Sequence, residues 1–89
     1  MDKCINDLDY ILSEVYSGRS VATAVNSSNI STVCYNPMNK VLTILFKKGK
    51  MYQYKDVDIT DFVSLITAKS VGSMFHSIIK QHQYKLVEV

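Results

Sequence analysis

The chain has 89 residues, 47% of them apolar and 20% charged, with three glycines and one proline. That supports one hydrophobic core and excludes a disordered or low-complexity chain, but a single copy is too small to enclose a nucleotide-sized ligand, which must lie on a surface or between subunits. The net charge of +2 divides into −3 over residues 1–18 and +5 over residues 19–89, a mild basic bias that favours an anionic partner without being a nucleic-acid signature.

No tract reaches the length of a membrane span, and Met1-Asp2-Lys3-Cys4 opens acidic rather than as a signal peptide, so the expected location is the cytoplasm, that of the host if the protein is viral. Cys4 and Cys34 are the only cysteines. Their spacing gives neither a zinc site nor a disulfide framework, and both are expected as reduced, small apolar side chains.

In chain order, Ile5, Leu8, Ile11, Leu12 and Val15 recur at helical spacing with Asp7, Asp9, Ser13 and Glu14 between them, which predicts an amphipathic helix. Asp2 is the N-cap candidate and Gly18 the stop. This helix either covers the sheet of its own chain or joins subunits. Val21, Thr23 and Val25 alternate with alanines, which suits a short strand or an extended linker, and Ser27-Ser28-Asn29 is turn chemistry.

Three antiparallel strands are predicted next, over about 29–36, 40–47 and 50–56, with Asn36-Pro37-Met38-Asn39 as the first turn. The second hairpin is the strongest local signal. Lys47-Lys48-Gly49-Lys50 divides two β-rich runs, and Gly49 supplies a residue tolerant of positive φ. Tyr52 and Tyr54 then share one face of the sheet, with Met51 and Gln53 on the other.

After Val57 the period changes to helical. Ile59, Phe62, Val63, Leu65 and Ile66 form one apolar side, with Asp58 or Thr60 as cap candidate. Ser70 caps a second helix carrying Val71, Met74, Phe75, Ile78 and Ile79, and Tyr84, Leu86 and Val87 offer a closing strand. The expected fold is therefore α+β: an antiparallel sheet of three to four strands, two helices after the third strand, and an extra N-terminal helix. Residues 1–18 form that helix, a possible oligomerisation element, and residues 19–89 the domain proper.

Catalytic chemistry is thinly supplied. His76 and His82 are six apart and fall on different helix faces, no carboxylate has metal-motif spacing, and nothing supports Cys34 with His76 as a thiol pair. Binding without turnover is expected, with no cofactor and no metal. Ser70-Val71-Gly72-Ser73 suits phosphate, because unpaired amides and the positive end of the helix dipole converge there and Gly72 allows close approach. Lys80, Ser73 and His76 form one polar stripe at helical spacing. The plainer alternative is that Ser70 only caps and Gly72 only packs. Tyr52 and Tyr54 are either core residues with satisfied hydroxyls or a stacking platform for bases. Lys47, Lys48, Lys50 and Lys55 around the hairpin read first as a solvated turn that discourages edge pairing.

Residues 27–87 resemble the KTSC domain, a small module found at the C-terminus of some lysyl-tRNA synthetases and as a free-standing protein of bacteria and their viruses. The resemblance is carried by Ser27-Ser28-Asn29-Ile30 with Val33 and Tyr35, by Phe46-Lys47-Lys48-Gly49, by Tyr52-Gln53-Tyr54 with Asp56-Val57, and by Ser70-Val71-Gly72-Ser73-Met74-Phe75 ending in Ile79-Lys80. Two positions depart from the family pattern, Asp58 where proline is usual and His76 where asparagine is usual. The resemblance implies an α+β domain with a role in RNA binding. Likeness to small viral sponge proteins implies instead the sequestration of a cyclic di- or oligonucleotide signal of antiphage defence by a homo-oligomer, such as a homotetramer, that holds the ligand between subunits. The third expectation is a protein-interaction domain docking through residues 5–16. The candidate ligand-binding set is Ser28, Asn29, Tyr52, Tyr54, Ser70, Gly72, Ser73, His76 and Lys80.

Overall fold

The computed structural model describes residues 8–79, 82 and 84–87. Its elements are α1 (Leu8–Tyr16), β1 (Val21–Ala24), β2 (Ile30–Asn36), β3 (Val41–Phe46), β4 (Met51–Tyr54), α2 (Ile59–Thr67), α3 (Val71–Met74) running on as a π-helical segment (Phe75–Ile79), and β5 (Tyr84–Val87). The strands form one antiparallel meander in the order β1-β2-β3-β4-β5. Five strands therefore stand where three to four were expected, because the alternating Val21–Ala24 segment and the closing Tyr84–Val87 segment both pair on the sheet.

Turn chemistry sets the register. In the β2–β3 turn the Asn36 side chain accepts from the Met38 amide (3.0 Å) and the Asn39 side chain from the Val41 amide (3.1 Å), two local bonds of the kind asparagine makes at turns. The β3–β4 turn closes with Phe46 N–H donating to the Lys50 carbonyl and Gly49 N–H to the Phe46 carbonyl, both 2.9 Å. Gly49 sits at φ +98° with nothing within 4 Å of where a Cβ would stand, so glycine is favoured there by the backbone and not by space.

Pairing across the sheet builds two rows on one face: Val21, Tyr35, Leu42, Tyr54 and Tyr84, then Thr23, Val33, Ile44, Tyr52 and Leu86. Helices cover the β1 to β4 part of this face. Phe62 and Leu65 of α2, and Val71, Phe75 and Ile79 of α3 and its π-helical continuation, are buried with Val57. Phe62 stacks on Tyr35 with ring centroids 4.7 Å apart, and the Tyr35 hydroxyl donates to the Val57 carbonyl. At the β5 end the cover stops, so that along one row Tyr54 is 5% exposed and its neighbour Tyr84 60%.

Asp58 holds the N-cap position of α2 without capping through its side chain, which instead pairs with Lys40 at 3.2 Å. The N-terminal helix stops at Gly18 (φ +89°) as expected, and Ile11 and Val15 are buried against its own chain. Among the described residues, the large apolar side chains that α1 leaves exposed are Leu8, Tyr10 and Tyr16. The Asp2 cap, Ile5 and Cys4 lie outside the described residues. Among those described, no helix is long and apolar enough to cross a membrane.

Candidate ligand-binding cleft

Where the helical cover ends, β3, β4, β5 and the start of α3 enclose a cleft of about 500 Å³. Aromatic rings make it. Phe46 meets Tyr52 at 5.8 Å, Tyr52 meets Tyr84 at 5.6 Å, Tyr84 meets Tyr54 at 5.5 Å, Tyr54 meets Phe75 at 5.5 Å, and Phe75 returns to Phe46 at 5.8 Å. These five rings form a closed cycle of neighbours drawn from four separate elements. Most contacts are steeply inclined, the arrangement that the ring quadrupole favours.

The rim is basic. Lys47, Lys48 and Lys50 line the opening, and among the described residues no carboxylate lines it and none of the three lysines forms an ion pair. Lys47 is held in place by its backbone, whose amide donates to the Asn29 carbonyl at 2.8 Å. Facing it, Ser28 and Asn29 belong to a turn in which the Ser27 hydroxyl accepts from the Asn29 and Ile30 amides, both at 3.2 Å. Cations above an aromatic floor suit a ligand that carries negative charge beside a flat ring.

Of the sequence-predicted set, Ser28, Asn29, Tyr52, Tyr54, Gly72 and His76 line this cleft. A Cβ at Gly72 would meet the Ser27 hydroxyl only at 3.9 Å, so packing does not demand glycine there. Ser70 and Ser73 fall outside the lining and bond to one another: Ser70 Oγ accepts from the Ser73 amide at 3.3 Å and the two hydroxyls lie 3.1 Å apart. That is a helix cap. The expected stripe through Ser73, His76 and Lys80 assumed an unbroken 3.6-residue period, whereas the helix widens to a π-turn from Phe75 to Ile79, which turns successive residues by a smaller angle. Lys80 lies outside the described residues. Cys34 lies on the opposite face of the sheet, in a depression with Asn36, Val41, Thr43 and Gln53, so it forms no pair with His76; burial pushes its thiol pKa up.

Phe46, Phe75 and Tyr84 are not in the sequence-predicted set, and the lysines, which read first as a solvated turn, line the cleft with them. The available signal was Phe46 directly preceding the Lys-Lys-Gly turn and Tyr84 falling opposite Tyr54 if the last segment paired. The two tyrosines of the central motif also divide. Tyr52 is half-buried in the cleft, and Tyr54 is core.

Burial, then the neighbouring Tyr84 and Tyr52, pushes the Tyr54 hydroxyl up to about 12. Below pH 10 the group is neutral folded or unfolded and its contribution to stability is complete. Between pH 10 and about 12 the unfolded chain ionises Tyr54 more readily than the folded chain, so stability falls across that window. Melting temperature followed from pH 8 to 12 should show that decline, and Tyr54→Phe should make it shallower, the rest falling to Tyr35, whose hydroxyl burial also pushes up.

With this geometry in place, similarity to known proteins becomes informative. A family model described as KTSC domain matches residues 26–84. The crystal structure of a KTSC domain protein from Yersinia pestis superposes with a TM-score of 0.72 at 30% identity, covering 78% of this chain and 99% of that one. An uncharacterized protein of Stutzerimonas stutzeri is 29% identical over 62 residues, spanning 70% of this chain and 87% of its own length.

Proposed function

The chain belongs to the KTSC domain family, and from the cleft it carries we propose that it binds a nucleotide without transforming it, the base on the aromatic floor and phosphate at the lysine rim. One observation carries this reading: a closed cycle of five rings under a rim of three lysines, with no carboxylate in the lining among the described residues. Stacking on an aromatic side chain contributes about 1–3 kcal/mol per base. Each lysine adds attraction that weakens with salt.

The finer reading is sequestration of a cyclic di- or oligonucleotide signal. A cleft of about 500 Å³ suits one base with its phosphate, which leaves the second half of a cyclic dinucleotide outside and available to a second copy. Symmetric pairing is the simplest way for so small a chain to surround such a ligand. RNA binding is the competing reading, favoured by the row of lysines along the hairpin tip.

Salt separates the two. Titration calorimetry of the full chain against cyclic di-AMP and against a single-stranded RNA, at 50 and 200 mM salt, should show tight binding and two chains per ligand with the cyclic probe. RNA engaging all three lysines should give a log–log slope of about −2, and a cyclic dinucleotide, which has no condensed counterion sheath to release, a shallower one. Neutralising Lys47, Lys48 and Lys50 together by glutamine should weaken the preferred ligand roughly tenfold or more. Absence of binding to both probes would end the nucleotide reading.

A further inference from the structure

Between the end of the π-helical segment and β5, one residue joins three segments, one through its backbone and two through its ring. The His82 amide donates to the Ile79 carbonyl at 2.9 Å. Its ring Nδ1 lies 3.1 Å from the Lys55 carbonyl in the β4–α2 connection, and its Nε2 lies 3.7 Å from Asp61 Oδ2 on α2. A carbonyl oxygen only accepts, so Nδ1 carries the hydrogen of that bond.

Two residues on, Tyr84 pairs with Tyr54 across the ladder and its ring touches those of Tyr52 and Tyr54. It is the residue that closes the aromatic cycle. Among the described residues little else secures it. β5 is an edge strand laddered on one side only, and Tyr84, Lys85 and Leu86 are all exposed. Few buried contacts leave an edge strand prone to local opening.

We propose that His82 is a positioning residue for the cleft: its bond to the Lys55 carbonyl fixes where β5 begins and so places the Tyr84 ring as the wall against which the ligand stacks. The effect on binding rests on the nucleotide reading, whereas the effect on β5 does not. A leucine at position 82 keeps the bulk and removes the donor. An asparagine keeps an N–H close to where Nδ1 stood.

The test compares His82→Leu, His82→Asn and the unmodified full chain, first without ligand. Amide exchange of residues 84–87 should accelerate about tenfold or more in His82→Leu, with loss of the nuclear Overhauser contacts between Tyr84 and the Tyr52 and Tyr54 rings, and stay within about twofold in His82→Asn. With cyclic di-AMP as probe, His82→Leu should weaken binding about tenfold, His82→Asn should restore it, and adding Tyr84→Ala to His82→Leu should cost nothing more, as expected of two residues acting through one contact. Unchanged exchange and ring contacts in His82→Leu would overturn the positioning role, as would an additive Tyr84→Ala. A probe that binds none of the chains while exchange still responds to His82→Leu would remove the nucleotide reading and leave the placement of Tyr84 by His82 standing.

Discussion

A Phe62→Ala chain is expected to lose about 3–5 kcal/mol of folding stability, the usual cost of emptying a buried phenylalanine site. Phe62 is fully buried, and its ring lies nearly parallel to that of Tyr35 at 4.7 Å. Truncation leaves one face of Tyr35 against a void while its hydroxyl stays bonded to the Val57 carbonyl, so the sheet side cannot move in to fill the space. A domain of this length has about 4–13 kcal/mol in total, and the corresponding fall in melting temperature is roughly 15–30 °C. Function should follow, because α2 packs beside α3 and its continuation, which bring Gly72, Phe75 and His76 to the cleft. Thermal and urea melts decide it, with Phe62→Leu as the control that keeps most of the apolar volume. A shift below about 5 °C for the alanine chain would mean that the core closes around the gap and that Phe62 does not pin α2 to the sheet.

The contrast between Phe62 and the cleft shows where sequence reading holds and where it stops. Alternation placed Tyr52 and Tyr54 on one face, and the register with Ile44 and Leu42 agrees. Alternation does not say how far a helix reaches across that face. Phe75 covers Tyr54 and stops short of Tyr52, so two tyrosines with the same local pattern meet different fates through a contact made some twenty residues later in the chain.

The lysines illustrate the same limit from the surface side. Lys47, Lys48 and Lys50 in isolation are a polar turn, and only Phe46 beneath them, with the Ser28-Asn29 turn opposite, makes them the rim of a concavity. Val21–Ala24 was ambiguous because alanine and valine in alternation carry a weak local preference; the open edge of β2 makes it a strand. The widening at Phe75 was invisible because a π-turn changes the period without any special residue to announce it. Ser70 is legible as a cap, and its side chain makes the capping bond to the Ser73 amide.

Replacing Tyr52 by alanine should separate binding from folding. The ring is half-buried and stands between Phe46 at 5.8 Å and Tyr84 at 5.6 Å, so its loss opens the aromatic cycle at the middle of the cleft floor. At about 1–3 kcal/mol per stacked base, affinity for cyclic di-AMP should fall between roughly 5- and 150-fold. Stability should fall less than for Phe62→Ala, because part of the ring's surface is already in water and truncation opens a groove instead of sealing a void. Tyr52→Phe keeps the stacking face and should bind within a few-fold of the unmodified chain, which distinguishes the ring from its hydroxyl. Calorimetry on the three chains, each first shown by thermal melt to be folded at the titration temperature, gives the answer. Equal affinity of the alanine chain would place the ligand away from these rings and leave the lysine rim as a solvated turn.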